Sequence, residues 1–157
     1  MKITVIAVGK TSTPYIKEGI DTFLQRAARY VPMELEVLPD LKSTRGLSVD
    51  EQKRREGELI LRALQPSDRV VLLDERGRQL TSVKFAGEIG RHMASGLKRL
   101  VYVVGGPYGF SPDVYDRADD RLSLSSMTFT HEMVRLFFVE QIYRAMTIMR
   151  GEPYHHE

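Results

Sequence analysis

Cysteine is absent from this 157-residue chain, which removes disulfide bonds, thiolate metal sites and a cysteine nucleophile at once. A reduced, cytoplasmic setting is therefore expected. Long hydrophobic runs are missing too: nothing approaches the roughly 18 apolar residues needed to cross a bilayer, so a soluble protein is expected. The opening MKITVIAVGK carries a lysine and a short apolar run with no small-residue cleavage site behind it, the pattern of a first strand and not of a signal peptide. Charge of one sign is scarce. A net +2 gives no argument for nucleic acid by itself. Lys42, Arg45, Lys53, Arg54 and Arg55, and then Arg76, Arg78, Arg91, Lys98 and Arg99, do gather in two stretches, which suit either a solvated face or contacts with phosphate.

Several catalytic signatures are missing as well. The dinucleotide fingerprint G-x-G-x-x-G needs a glycine where this chain has Pro107, which argues against a nucleotide-dependent oxidoreductase. Gly9-Lys10-Thr11 copies the end of a P-loop, but the glycine required five residues before Gly9 is Thr4, inside the first strand. ATP or GTP hydrolysis is not expected. His92, His131, His155 and His156 lack acidic partners at ligand spacings, so no metal is expected. Ser123-Leu124-Ser125-Ser126 lacks the flanking glycines of a nucleophile elbow.

What is present is an alternation of elements. With 42% apolar residues, the chain can bury the core of one domain, residues 1–157. Short β-branched runs at Ile3–Val8, Leu35–Leu38, Val70–Leu73, Leu100–Val104 and, more weakly, Leu122–Leu124 predict strands. Between them Tyr15–Tyr30, Val49–Leu64, Val83–Ala94 and Pro112–Ala118 have helical length and pattern. This is an α/β arrangement with a mostly parallel sheet. The last helix, His131–Arg150, is apolar nearly all round: Val134, Leu136, Phe137, Phe138, Val139, Ile142, Tyr143, Met146, Ile148 and Met149 leave no broad polar face. One sheet covers one side, so a homodimer is expected, a deeply buried monomer helix being the alternative. Arg135, a cation near the start of that helix, invites a carboxylate or an anionic ligand. Glu140 and Arg144 have the spacing of a helix-stabilising pair.

In an open α/β sheet ligands bind beyond the carboxyl ends of the strands. Three such ends converge here: Val70–Asp74, Val104-Gly105-Gly106-Pro107-Tyr108-Gly109, and Leu122–Phe129 leading to His131 and Arg135. Gly-rich and Ser/Thr/Met-rich loops suit an adenosine-like ligand better than a polyphosphate. Three ordinary turns would look the same by spacing alone.

GGPYG, the C-terminal run LSLSSMTFTHEMVRLFFVEQIYRAMTIMRGEPYH and the opening MKITVIAVGK resemble the RlmH family, S-adenosylmethionine-dependent methyltransferases of the SPOUT superfamily that act on a pseudouridine of large-subunit ribosomal RNA. The resemblance runs nearly the whole chain. It implies a C-terminal trefoil knot, a homodimer sharing each active site, and transfer of a methyl group from S-adenosylmethionine to N3 of the pseudouridine. It places Leu73, Gly105, Leu124, Ser125, Ser126, Met127, Thr128 and Phe129 around the cofactor, with Gly105 a glycine because a side chain would occupy the ligand's place. Tyr154 and His155 match the family's tail and are expected at the target base, His155 as proton acceptor. Arg135 and Arg144 are expected to hold RNA phosphates or orient that base. Thr130 stands where some similar sequences carry proline, and as a good N-cap it should keep the turn. No appended RNA module is present, so the assembled ribosome is the expected partner. A noncatalytic RNA-binding or ribosome-associated factor of the same fold is the alternative, excluded by cofactor binding.

Overall fold

The computed structural model describes residues 1–156. Five strands, β1 (Lys2–Val8), β2 (Met33–Leu38), β3 (Arg69–Gln79), β4 (Arg99–Val104) and β5 (Asp120–Ser123), form one sheet in the order β2-β1-β4-β3-β5. Every strand pairing is parallel. All strands therefore deliver their carboxyl ends to one rim. Five helices, α1 (Pro14–Ala27), α2 (Val49–Ala63), α3 (Ser82–Ala94), α4 (Pro112–Arg117) and α5 (His131–Met149), connect and cover them. Among the described residues no helix is long and apolar enough to cross a membrane.

The central strands read as almost unbroken apolar runs because both faces of the sheet are covered. Alternation within each run decides which cover a residue meets. Ile3, Val5, Ala7, Leu100, Tyr102 and Val104 pack with Ala27, Phe85, Ile89, Phe138 and Ile142 of α1, α3 and α5. Ile6, Val70, Leu72, Val101 and Val103 pack with Ile60 and Val114 of α2 and α4. The helices start where the sequence supplies a cap: the side chains of Ser48, Thr81, Ser111 and Thr130 each accept an N–H from the first turn. Such a cap contributes about 1 kcal/mol, and at Thr130 it keeps the expected turn.

Two expectations need correction. The third strand does not stop at Leu73 or Asp74 but runs on through Asp74-Glu75-Arg76-Gly77-Arg78-Gln79. Its polar composition hid it. Leu122 pairs with Leu73 and again with Arg78, residues 74–77 arching between the two contacts. Arg78 is held there by Glu88 at 2.9 Å and by Asp120. A Cβ on Gly77 would lie 2.6 Å from the backbone of Leu122, so only glycine lets the arch return against β5. The second correction concerns α5. Besides the sheet, α1 and α3 flank it within the same chain, burying Phe138, Val139, Ile142, Ala145 and Met146. Only Phe137 and Met149 of its large apolar residues stay 40% and 38% exposed. The helix is apolar nearly all round, but most of its cover comes from its own chain, and only the separate positions Phe137 and Met149 are left open.

Candidate active site at the carboxyl ends of the strands

The ends of β3, β4 and β5 enclose a cavity of about 410 Å³, within the usual range for a small-molecule site. Leu73, Gly105, Leu124, Ser125, Met127, Thr128 and Phe129 all line it. Ser126, expected with them, does not. Its floor is the glycine turn after β4, closed by Gly109 N–H donating to the Gly106 carbonyl at 3.1 Å. Gly109 has φ +83°, the left-handed region in which glycine is unstrained.

Gly105 is glycine for a reason other than the expected one. A Cβ there would meet the Phe110 ring at 3.0 to 3.3 Å, so the missing side chain makes room for Phe110 in the wall of the cavity that Gly105 lines. Phe110 stands edge-on to Tyr115, 5.8 Å between centroids. The Tyr115 hydroxyl in turn donates to Asp74, and the Arg121 guanidinium lies 4.3 Å over its ring. Burial and then the Asp74 hydrogen bond push the Tyr115 phenol up to about 12, so it stays protonated and keeps donating. This chain of contacts ties the ends of β3, β4 and β5 into one wall.

Lys53, Asp74, Glu75, Arg76, Tyr108, Tyr115 and His131 also line the cavity and were missed as site residues. For Asp74, Tyr108 and His131 the signal was present, since they belong to the three strand-end segments. Lys53 enters from α2, and its one mark in the sequence was its place in the basic stretch Lys42 to Arg55.

Arg135 corrects an expectation. It is 1% exposed, and its guanidinium donates to the carbonyls of Val8 and Gly9 at 2.8 and 2.7 Å and to Thr11 Oγ1 at 3.1 Å. Burial, which the Glu132 and Asp40 charges only partly oppose, lowers its pKa. It faces no solvent, so it pins the loop after β1 and does not reach RNA phosphate. Glu132, three residues earlier, accepts from the N–H groups of Ser12 and Thr13 at 2.5 and 3.1 Å. In the P-loop look-alike Gly9-Lys10-Thr11, carbonyls and not N–H groups of Val8 and Gly9 thus face the charged partner.

The tail is ordered by side chains that composition does not reveal. Gly151, φ +67°, ends α5, and Glu152 accepts from the Tyr30 hydroxyl at 2.7 Å. Tyr154 donates to Glu140 at 2.9 Å and packs 4.7 Å from Tyr143. Arg144 holds Glu140 at 2.6 Å, as the pair spacing suggested, and also approaches His155 Nδ1 at 3.1 Å. A guanidinium has no acceptor, so Nδ1 must accept and the imidazole proton sits on Nε2. That Nε2 is buried without a partner among the described residues. His155 is therefore arranged as a hydrogen-bond donor, in place of the proton acceptor expected. Arg144 lies ten residues beyond Val134 of the cavity wall, about 15 Å along the helix, so the tail and its own chain's cavity are apart.

Residues 1–155 match the family model described as "Predicted SPOUT methyltransferase". The chain belongs to the SPOUT methyltransferase family. Proteins named ribosomal RNA large subunit methyltransferase H are similar to this SPOUT chain over its whole length: 55% identical in Parabacteroides distasonis and 54% in Bacteroides thetaiotaomicron, each covering 100% of both chains. The one from Christiangramia forsetii is 53% identical over 99% of both. A SPOUT methyltransferase needs a pocket for a methyl donor, and the cavity at the strand ends, built of backbone turns, apolar side chains and the charged Lys53, Asp74, Glu75 and Arg76, has the size of a small-molecule site.

Proposed function

We propose that this chain methylates N3 of a pseudouridine in large-subunit ribosomal RNA, using S-adenosylmethionine, in the cytoplasm and on the assembled ribosome. One observation carries the reading: Leu73, Gly105 and five of the six residues Leu124 to Phe129 line a single cavity in a chain matched end to end by proteins named as ribosomal RNA methyltransferases. Leu73, the Gly105–Gly109 turn, Leu124, Ser125 and Met127 to Phe129 would hold the donor. When bound, S-adenosylmethionine supplies a methyl group on a sulfonium, open to in-line displacement. The protein's part is to hold the acceptor nitrogen on that line, which is positioning; as the N–C bond forms and the C–S bond breaks, the proton on N3 passes to solvent.

The acting unit in this proposal is a homodimer, each cavity completed by the partner's tail. Two features support it. The tail is fixed by Tyr30, Glu140 and Arg144 but stands far along α5 from its own cavity. A second cavity of about 240 Å³ between α3 and α5, lined by Leu80, Phe85, Phe129, Phe137 and Phe138 together with Ser82 and Gln141, offers a copy of the chain a place to pack at Phe137. The buried Nε2–H of His155 is then a donor to a carbonyl of the target base, with Tyr154 and Arg144 as its support. A C-terminal trefoil knot belongs to the same proposal, favoured by the arch of residues 74–77 over β5.

Mass mapping of ribosomal RNA from cells with and without the gene tests the reading. One methyl should disappear from one pseudouridine, and purified protein with S-adenosylmethionine should restore it on isolated ribosomes. RNA that is identical in the two strains overturns it.

A further inference from the structure

Beside the donor cavity lies another of about 560 Å³, and the two share Pro107, Phe129 and His131 as a common wall. Its far side is Tyr15, whose ring is 71% exposed on the first turn of α1. An aromatic ring left in water usually belongs to a mobile surface segment, but this one is fastened. The loop that carries it is held by Arg135 through the carbonyls of Val8 and Gly9, and by Glu132 through the N–H groups of Ser12 and Thr13. Both clamps come from α5, the helix that also supplies His131 to the shared wall. The backbone that carries Tyr15 and the wall are therefore fixed relative to each other, and the ring turns only about its own side-chain bonds.

We propose that Tyr15 is a stacking platform for an unpaired RNA base next to the one that receives the methyl group. The proposal rests on the reading of the neighbouring cavity as the donor site and of RNA as substrate. A base whose N3 is to be methylated must leave its stack and pair, and its neighbours then lose a stacking partner. An exposed aromatic ring on a fixed backbone restores one without reading sequence, since every base has a π-face. The surroundings fit a nucleotide better than a second copy of the chain. Lys10, exposed in the same clamped loop, makes no ion pair among the described residues, and Thr130 and His131 line the cavity with Tyr15, where the Glu132 carboxylate is already occupied by Ser12 and Thr13. The cavity suited to a second copy lies elsewhere, between α3 and α5 at Phe137.

The test uses ribosomes from a strain lacking the gene, with kcat/KM for methyl transfer, S-adenosylmethionine affinity by calorimetry and particle mass by light scattering. Tyr15→Ala should lower kcat/KM roughly 5- to 100-fold, the range of one lost base stack, while donor affinity and mass stay at wild-type values. Tyr15→Phe and Tyr15→Trp should retain activity, and Tyr15→Leu should fall with alanine. Wild-type activity in Tyr15→Ala, or full activity in Tyr15→Leu, overturns the platform while leaving the methyltransferase reading intact. A changed particle mass in Tyr15→Ala assigns the ring to a subunit contact and overturns it too. Wild-type protein that binds the donor but leaves ribosomes unmethylated sinks the substrate reading and the platform together.

Discussion

Gly105 and Gly109 stand four residues apart and are glycine for different reasons, one sparing Phe110 and the other allowing φ +83°. Gly105→Ala should cost about 1–3 kcal/mol by overpacking against the ring and weaken donor binding through the displaced wall. Adding Phe110→Leu should recover part of both, measured by urea unfolding and calorimetry. If alanine leaves stability and affinity unchanged, Phe110 does not set the wall. Tyr115 gives a pH test. Its folded pKa, pushed up to about 12 by burial and then by Asp74, exceeds the unfolded value near 10. Its contribution to stability is thus complete below about pH 10 and is lost as pH rises through about 12. The wild-type minus Tyr115→Phe difference in unfolding free energy should shrink across that window. His155→Ala should reduce methyl transfer about 100-fold, the usual effect of removing one positioned donor, with donor affinity unchanged in calorimetry. The three converging strand ends were legible because glycines and small polar residues interrupt β-branched runs, while the individual residues named around a cofactor came from the family resemblance. The roles of Gly105, Arg135 and His155 were not, because they depend on Phe110, on Val8 and Gly9, and on Arg144, partners that folding brings from elsewhere in the chain.

At the scale of elements, the hydrophobic runs marked every strand and helix, while the second half of β3 escaped notice. Apolar patterning reports burial, and Arg78 is held in its strand by Glu88 and Asp120, not by burial. The arch before it makes a sharp prediction. Gly77→Ala puts a methyl group against the backbone of Leu122, which no side-chain rotation relieves, and should cost more than about 3 kcal/mol, above the ordinary overpacking range. Gly46→Ala, at φ +81° with nothing within 4 Å, should cost about 1–2 kcal/mol. Denaturant midpoints that rank the two the other way would contradict the close return of the arch. The clamp on the loop after β1 is equally testable. Arg135→Met leaves two carbonyls short of a charged donor and should destabilise by about 2–3 kcal/mol, with faster amide exchange at Ser12 and Thr13. Unchanged exchange there would mean the loop is held by something else.

For the whole molecule, the α/β class and parallel sheet followed from the alternation of runs, whereas the cover of α5 did not. A helical wheel counts apolar residues but not the neighbours that α1 and α3 bring to them. Light scattering should still report twice the 17.9 kDa chain mass, and Phe137→Glu should lower it by charging that open position. A chain that scatters as a monomer and still methylates would end the shared-site proposal. In mixed dimers of Gly105→Ala/Phe129→Ala subunits with subunits truncated before Tyr154, one working site is expected if the tail serves its partner's cavity, and none if it serves its own. The parallel sheet has one more consequence, for handling the protein. Because β1 runs in the same direction as every other strand, Met1 emerges at the rim opposite the cavity, whereas Tyr154 and His155 stand close to the other terminus. A purification handle or surface tether attached at Met1 leaves the chemistry facing solution. A histidine tag appended after the tail would crowd extra imidazoles around His155, whose Nε2–H the proposed mechanism assigns to the target base.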